Sequence, residues 1–373
     1  MGDNIMIRLA TIIEQFEADF LSSYRGHILP SQLKALGAIK NCRTQLSPLM
    51  RLNCSDCDNQ TFIPHSCGHR SCPHCQHHES QQWIERQVQK QLPASYFMIT
   101  FTLPAELRPL AFHHQKVVYS ALFDCAWATL KEFSLNDQAL QGSAGVVAVL
   151  HTHSRALNHH PHIHAVMPAA SIQKKQRLWR KKEGAYLFNH KALAKVFRAK
   201  LLAALVAQGL SLPAHYPKKW IVDCKAVGSG DKALTYLGRY LYRGVINEKD
   251  ILSCERGLVT FRYRDSKTKR YKTRTLPGAQ FLQLVLQHVL PKGFRRARSY
   301  GFLHPNSKRL IKLIHLLFKY DPQKWRPKEK PRPQINCQCC GAVMIIVETR
   351  IKQPKVRFMP RNGLEQTKDH VVF

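Results

Sequence analysis

Two segments of this 373-residue sequence are equipped for chemistry: Asn158-His159-His160-Pro161-His162-Ile163-His164 and, about seventy positions later, Tyr236-Leu237-Gly238-Arg239-Tyr240. In an extended strand successive side chains point to opposite faces, so His162 and His164 project together while Ile163 turns toward a core. Two neutral imidazoles on one face can hold a divalent cation. A third ligand is expected from the preceding strand, His151 in preference to His153. On a helix, residues four apart lie one turn above each other, so Tyr236 and Tyr240 present two phenols about 5–6 Å apart. A metal ion beside paired phenols is suited to attack on a phosphodiester.

Each segment has a plainer explanation. Histidine occurs 20 times, so His-x-His alone is weak evidence, and aromatic residues at helical spacing are more often core than catalytic. A helical wheel separates the two cases. At roughly 100° per residue, Leu234, Leu237, Leu241 and Val245 form one stripe, and Tyr236 and Tyr240 fall nearly opposite with Lys232, Arg239 and Arg243. The leucines occupy the core face, which leaves the phenols beside charges that would stabilise a phenolate and a pentavalent transition state. Tyr242 lies off that face.

The elements that must position these groups follow from periodicity. Residues 1–46 carry helical spacing (Ile5, Leu9, Ile12, Phe16, Phe20; Leu33, Leu36, Ile39). Two CxxC pairs, Cys54 with Cys57 and Cys72 with Cys75, are separated by fourteen residues, the spacing of a four-cysteine structural Zn2+ site. The intervening loop also holds His65, Cys67 and His69, any of which could replace a cysteine or join a second site. Helices are expected over 77–92, 113–134, 190–207, from Asp231 through the tyrosines, and near 278–290. Strands are expected over 96–103, 146–151, 162–166, 220–227, 257–264 and 270–275. Hairpin-linked strands interspersed with helices predict an α+β fold with a central antiparallel sheet flanked by helices and an N-terminal helical zinc-binding module. The expected domains are 1–92, 93–321 and a Pro-, Lys- and Arg-rich tail, 322–373. In that tail Cys337-Gln-Cys-Cys340 is half a metal site, which Cys42, Cys224 or a partner chain would have to complete.

Charge narrows the function. Fifty-seven Lys and Arg face 24 Asp and Glu, a formal charge of +33, so nucleic acid is the leading partner, ahead of a ribosomal or membrane-surface role. Arg243, and Arg295, Arg296 and Arg298 in the basic stretch after Pro291, are expected to contact DNA. No run of about 18 apolar residues and no signal-peptide pattern is visible, which predicts a soluble cytoplasmic protein with no membrane partner. In a reducing compartment the 12 cysteines are metal ligands before they are disulfides. Gly228-Ser-Gly-Asp-Lys lacks the Walker spacing and is a turn that begins a helix.

Together these motifs resemble the two-tyrosine rolling-circle insertion-sequence transposases of the HUH endonuclease superfamily. The resemblance rests on Ser66-Cys-Gly-His-Arg-Ser-Cys-Pro-His-Cys75, Ile99-Thr-Phe-Thr-Leu-Pro104, His151 through His164, Tyr236 through Tyr240, Phe261-Arg-Tyr-Arg264 and His288 through Phe302. It implies an HUH nuclease-like fold, Mg2+ or Mn2+ on His162 and His164, and Tyr236 and Tyr240 as nucleophiles. It further implies cleavage of single-stranded DNA at transposon ends and target, with a 5′-phosphotyrosine bond and a 3′-OH that host replication machinery can extend. A plasmid replication initiator or relaxase would share the chemistry but act at an origin. A non-enzymatic zinc DNA-binding protein would need neither tyrosine.

Overall fold

In a computed structural model that describes residues 6–173, 176, 178–242, 244–265, 268–325 and 334–351, the chain is an α+β protein whose described strand pairs are antiparallel. It opens with α1 (Leu9–Tyr24), α2 (Pro30–Lys40), β1 (Leu49–Cys54), β2 (Gln60–Pro64), α3 (His77–Val88) and β3 (Tyr96–Thr102). The middle holds α4 (Arg108–His113), α5 (Gln115–Asn136), β4 (Gly145–His153), β5 (His159–Pro168), β6 (Ala170–Gln173), β7 (Leu178–Lys181), α6 (His190–Ala207) and β8 (Val222–Ala226). Then come α7 (Asp231–Tyr242), β9 (Ile251–Glu255), β10 (Leu258–Arg264), β11 (Tyr271–Pro277), α8 (Gly278–Leu286), β12 (Ala297–Gly301), α9 (Lys308–Leu317) and β13 (Met344–Ile351). No described helix is long and apolar enough to cross a membrane.

These elements form two compact units, one of residues 1–42 with 67–332 and one of 43–66 with 333–373. The units do not follow the expected boundaries at 92/93 and 321/322. The N-terminal helices pack within the larger unit: Ile12, Phe16 and Phe20 of α1 share an apolar cluster with Phe261 of β10 and Phe281 of α8. Local periodicity marks an apolar helix face but not the distant segment that will cover it.

The larger unit is organised by a five-stranded sheet of order β12-β4-β5-β3-β8. Many of its buried positions are valine, isoleucine or phenylalanine, side chains that fill a pleated, buried surface. Alternation sends Leu150, Ile163 and Phe101 to the face covered by α5 and α6. Val147, Val149 and Val166 go to the other face, where they meet Ile84 of α3, Leu234, Leu237 and Leu241 of α7, and Ile311 of α9. The end of the basic stretch, for which no strand was expected, becomes the edge strand β12, with Ala297 opposite Val149 and Tyr300 opposite Val146. In the smaller unit the sheet order is β13-β1-β2.

Two glycines seat α7. Gly230, at φ +84°, turns the chain into the helix against the Tyr96 ring. At Gly238, inside the tyrosine motif, an added Cβ would lie 2.3 Å from Cγ1 of Ile84 and 2.9 Å from Trp83, so the missing side chain is what lets α3 and α7 approach. The Ser80 hydroxyl of α3 donates to the Gly238 carbonyl at 3.1 Å. Gly238→Ala should therefore destabilise the protein by about 1–3 kcal/mol through overpacking, despite alanine's better helix propensity. Urea unfolding measures this, and an unchanged or raised midpoint would show that the helices are not in tight contact.

Candidate functional site

The site begins with strand register. His151 of β4 lies directly opposite His162 of β5, and His164 lies between Val149 of β4 and Thr100 of β3. Directly opposed residues share a face, so His151, His162 and His164 all project toward α7, with Ile163 buried on the other side. One ring nitrogen from each histidine lies within 4.8 Å of the others. Of the two third-ligand candidates, His151 joins the cluster; His153 instead lies by the hydroxyl of Tyr240.

The donor set suits a divalent cation. His162 Nδ1 is 2.7 Å from the His160 carbonyl, and His164 Nδ1 is 2.9 Å from the Thr100 hydroxyl. With the proton on Nδ1, these bonds orient each ring and leave its Nε2 bare. The buried His151 Nε2 has no hydrogen-bond partner among the described residues, an orphaned acceptor that a cation would satisfy. Burial, then the neighbouring His164 and His162, holds His151 well below the ordinary histidine range. Burial likewise lowers His162 to about 3 and His164 to about 4, so all three rings are neutral near pH 7, as metal ligation requires.

The helix α7 lies over this face. Leu234, Leu237 and Leu241 are buried as the wheel predicts. The Tyr240 ring stacks on His151, with centroids 3.3 Å apart and planes 13° from parallel, and its hydroxyl is 3.0 Å from Nδ1 of His153. Tyr236 is 49% exposed, and its ring centroid lies 6.2 Å from that of His151 and 6.3 Å from that of His164. The two phenol rings are 6.4 Å apart. Burial raises both phenol pKa values, more strongly for Tyr240, so each is protonated at neutral pH.

The charges beside the phenols differ from those expected. Lys232 and Arg239 stand exposed on α7, and Arg243 lies outside the described residues. The cations that oppose the burial effect are Arg155 at Tyr236 and Arg296 at Tyr240. Arg296 was expected to meet DNA. Instead its guanidinium donates to the Leu150 and Leu241 carbonyls at 3.1 and 3.3 Å and lies 5.0 Å from the centre of the Tyr240 ring. Arg295 and Arg298, with Lys116 and Lys292, line a cleft of about 800 Å3. Arg298 also approaches Asp124 and the Ser120 hydroxyl of α5, which puts it on the sheet face away from the histidines. Sequence reasoning missed Thr100 and Asp223, which pair across β3 and β8 in the row of His164. The signal was available: each is a polar residue set between apolar neighbours, Thr100 between Ile99 and Phe101 and Asp223 between Val222 and Cys224. The Asp223 charge draws the His164 pKa upward against burial.

The cysteines require a correction. Cys54, Cys57, Cys72 and Cys75 do not converge on one site. Cys42, Cys67, Cys72 and Cys75 form one cluster, with sulfurs of Cys42 and Cys67 at 3.5 and 3.6 Å from that of Cys75. Cys54 and Cys57 instead meet Cys337 and Cys340, the pair whose partners were sought in Cys42, Cys224 or another chain. The fourteen-residue spacing permitted the first grouping, but Leu49–Cys54 and Gln60–Pro64 pair as a hairpin that carries Cys54 and Cys57 to β13. Cys42, just beyond α2, takes their place in the larger unit.

Comparison with known proteins finds relatives of this chain. Residues 145–310 match the family described as "Putative transposase", and residues 12–103 match the IS91-type "Transposase zinc-binding domain". The chain is 30% identical over 296 residues to the "Putative transposase y4qJ" of Sinorhizobium fredii (strain NBRC 101917 / NGR234), covering 73% of this chain and 74% of that one. It is 28% identical over 302 residues to the transposase for insertion sequence element IS801 of Pseudomonas savastanoi pv. phaseolicola, covering 74% and 72%. Among solved structures, the metal-bound conjugative relaxase TrwC in complex with oriT DNA is similar at 20% identity and a TM-score of 0.29, over 35% of this chain and 49% of that one. TrwC with a mutant oriT DNA is similar at 16% identity and a TM-score of 0.28, over 60% and 74%.

The two groupings of cysteines predict different outcomes for Cys42. If it is a zinc ligand, Cys42→Ser should lower bound zinc by one equivalent per chain and reduce the melting temperature. Elemental analysis of protein purified without chelator measures this, and wild-type zinc content in the variant would reject the assignment.

Proposed function

From the premise that this chain belongs to the IS91-type insertion-sequence transposase family, we propose that it cuts and rejoins single-stranded DNA through phosphotyrosine bonds, using Tyr236 and Tyr240 against the three-histidine cluster. The observation that carries this reading is the stacking of Tyr240 on His151, which makes the tyrosine helix and the histidine strands one site. The donor set supports His151, His162 and His164 as ligands of Mg2+ or Mn2+, with coordination positions left for oxygen. Such an ion, when bound, supplies Lewis-acid polarisation of the scissile phosphate.

The chain's own residues do the rest. The exposed Tyr236 is the first nucleophile, because DNA can reach its hydroxyl without moving α7. Its oxygen attacks phosphorus in line, the 3′-oxygen leaves and takes a proton, and a 5′-phosphotyrosine bond and a free 3′-OH result. Arg155 favours the phenolate as the phenol loses its proton. Tyr240, half-buried, serves the second strand transfer: its hydroxyl lies 3.0 Å from Nδ1 of His153, which can accept the proton when that nitrogen is bare, and Arg296 beside the ring stabilises the charge that develops. Two nucleophiles let one site hold a donor end while it cuts a second strand. Arg295, Arg298, Lys116 and Lys292 support a path for the phosphate backbone along their cleft, and host replication enzymes would extend the 3′-OH.

Denaturing electrophoresis of labelled single-stranded transposon-end DNA tests the nucleophiles. Tyr236→Phe should lose first-strand adduct, Tyr240→Phe should retain it but fail to join strands, and the double variant should form no adduct. Tyr242→Phe should match the wild type. An adduct peptide mapping outside residues 231–242 would overturn the assignment.

The histidines and the basic surface are expected to separate cleanly. His162→Ala or His164→Ala, or excess EDTA, should abolish cleavage and leave DNA affinity within a few-fold of wild type. Affinity itself should fall with salt at a log-log slope of about −0.7 per phosphate neutralised. Full cleavage by either variant would make the histidine cluster structural, and a salt-independent affinity would remove the phosphate-tracking cleft.

A further inference from the structure

The smaller unit has almost no core. Its buried cluster is Leu52 of β1, Cys337 and Met344 of β13, whereas Phe62, Ile345, Ile346 and Val347 remain exposed. A three-stranded sheet with so little buried apolar surface needs a staple. The four cysteines lie where a staple would act. Cys54 and Cys57 flank the turn between β1 and β2, and Cys337 and Cys340 lie in a second turn just before β13. The sulfurs meet in cross-turn pairs, Cys54 with Cys340 at 3.4 Å and Cys57 with Cys337 at 3.7 Å. Four thiolates about 2.3 Å from a tetrahedral Zn2+ lie about 3.8 Å from one another.

Both turns are also shaped to hold thiolates. Backbone N–H groups of Asp56 and Cys57 point at the Cys54 sulfur, each at 3.4 Å. The Cys339 N–H at 3.4 Å and the Asn59 side-chain amide at 3.2 Å point at the Cys337 sulfur. In the second turn Cys337 N–H donates to the Ala342 carbonyl at 2.7 Å, Gly341 N–H donates to the Cys337 carbonyl at 2.9 Å, and Gly341 adopts φ +77°. N–H donors aimed at sulfur stabilise the deprotonated form that a soft, tetrahedral ion requires.

We propose that Cys54, Cys57, Cys337 and Cys340 form a second structural zinc site, which closes the smaller unit by joining the β1–β2 turn to the turn before β13. Cys337 and Cys340 lie outside the matched zinc-binding segment, residues 12–103. Residues 334–351 are then an integral part of this unit, held by ligands as far as 286 positions apart. Each thiol releases its proton to solvent as it binds. Cys339, exposed beside Cys340 but outside the cluster, is a built-in control.

Timed alkylation of the native full-length wild type, mapped by mass spectrometry, tests the site without any variant. Cys339 should react within the first time points, and Cys340, also exposed, should react only after chelator is added, together with Cys54, Cys57 and Cys337. In parallel, the full-length Cys337→Ser, Cys340→Ser double variant should hold one zinc where the wild type holds two. Reaction of Cys340 at the rate of Cys339 in zinc-replete protein overturns the proposal. So does equal zinc content in the two proteins, or a pairing of these cysteines as disulfides that chelator does not affect.

Discussion

The registration of β4 on β5 constrains everything at the site, because side chains in a sheet alternate with a period of two. With His151 opposite His162, the three imidazoles reach the α7 face while Leu150, Ile163 and Ala165 fill the core under α5 and α6. A one-residue slip would bury the histidines in that core and expose the apolar set, an exchange that apolar burial forbids. The packing of Ile163 and its neighbours therefore enforces the geometry of the three histidines.

The same face explains why the tyrosine helix sits where it does. Val147, Val149 and Val166 continue the histidine rows as an apolar surface on which the leucines of α7 bury. The strands β4 and β5 thus present the clustered histidines at one end and helix-binding surface at the other. Gly238 sets how closely α7 can lie against α3, and Tyr240 consequently stacks on His151 instead of facing solvent. Burial makes that phenol a weaker acid, and Arg296 is held beside it by the Leu150 and Leu241 carbonyls to counter the effect. Tyr236, one turn earlier, keeps access to solvent. Two chemically identical side chains are made unequal by their depth alone.

Thiol clusters enter the two units in different ways. Cys72 and Cys75 belong to the large apolar cluster that includes Phe16, Phe261 and Phe281, so that cluster adds to an existing core. Cys337 belongs to one that otherwise holds only Leu52 and Met344. The smaller the core, the larger the share of stability that crosslinks must supply.

Local periodicity and residue chemistry determined much of this protein. The sequence alone identified the α+β class, the strand that carries His162 and His164, the leucine and tyrosine sides of α7, and the choice of His151 over His153 as the histidine beside that pair, because each depends on neighbours within a few residues. Tertiary structure decided the partners. Cys42 and Cys67 joined Cys72 and Cys75, Cys54 and Cys57 joined Cys337 and Cys340, and Arg296 turned from an expected DNA contact into a neighbour of Tyr240. Spacing shows that a pair of cysteines can grip one edge of a tetrahedron but not which pair grips the other, since that is set by how strands far apart in the chain align. Charge likewise makes an arginine a candidate for phosphate, yet only the fold determines whether backbone carbonyls reach it first.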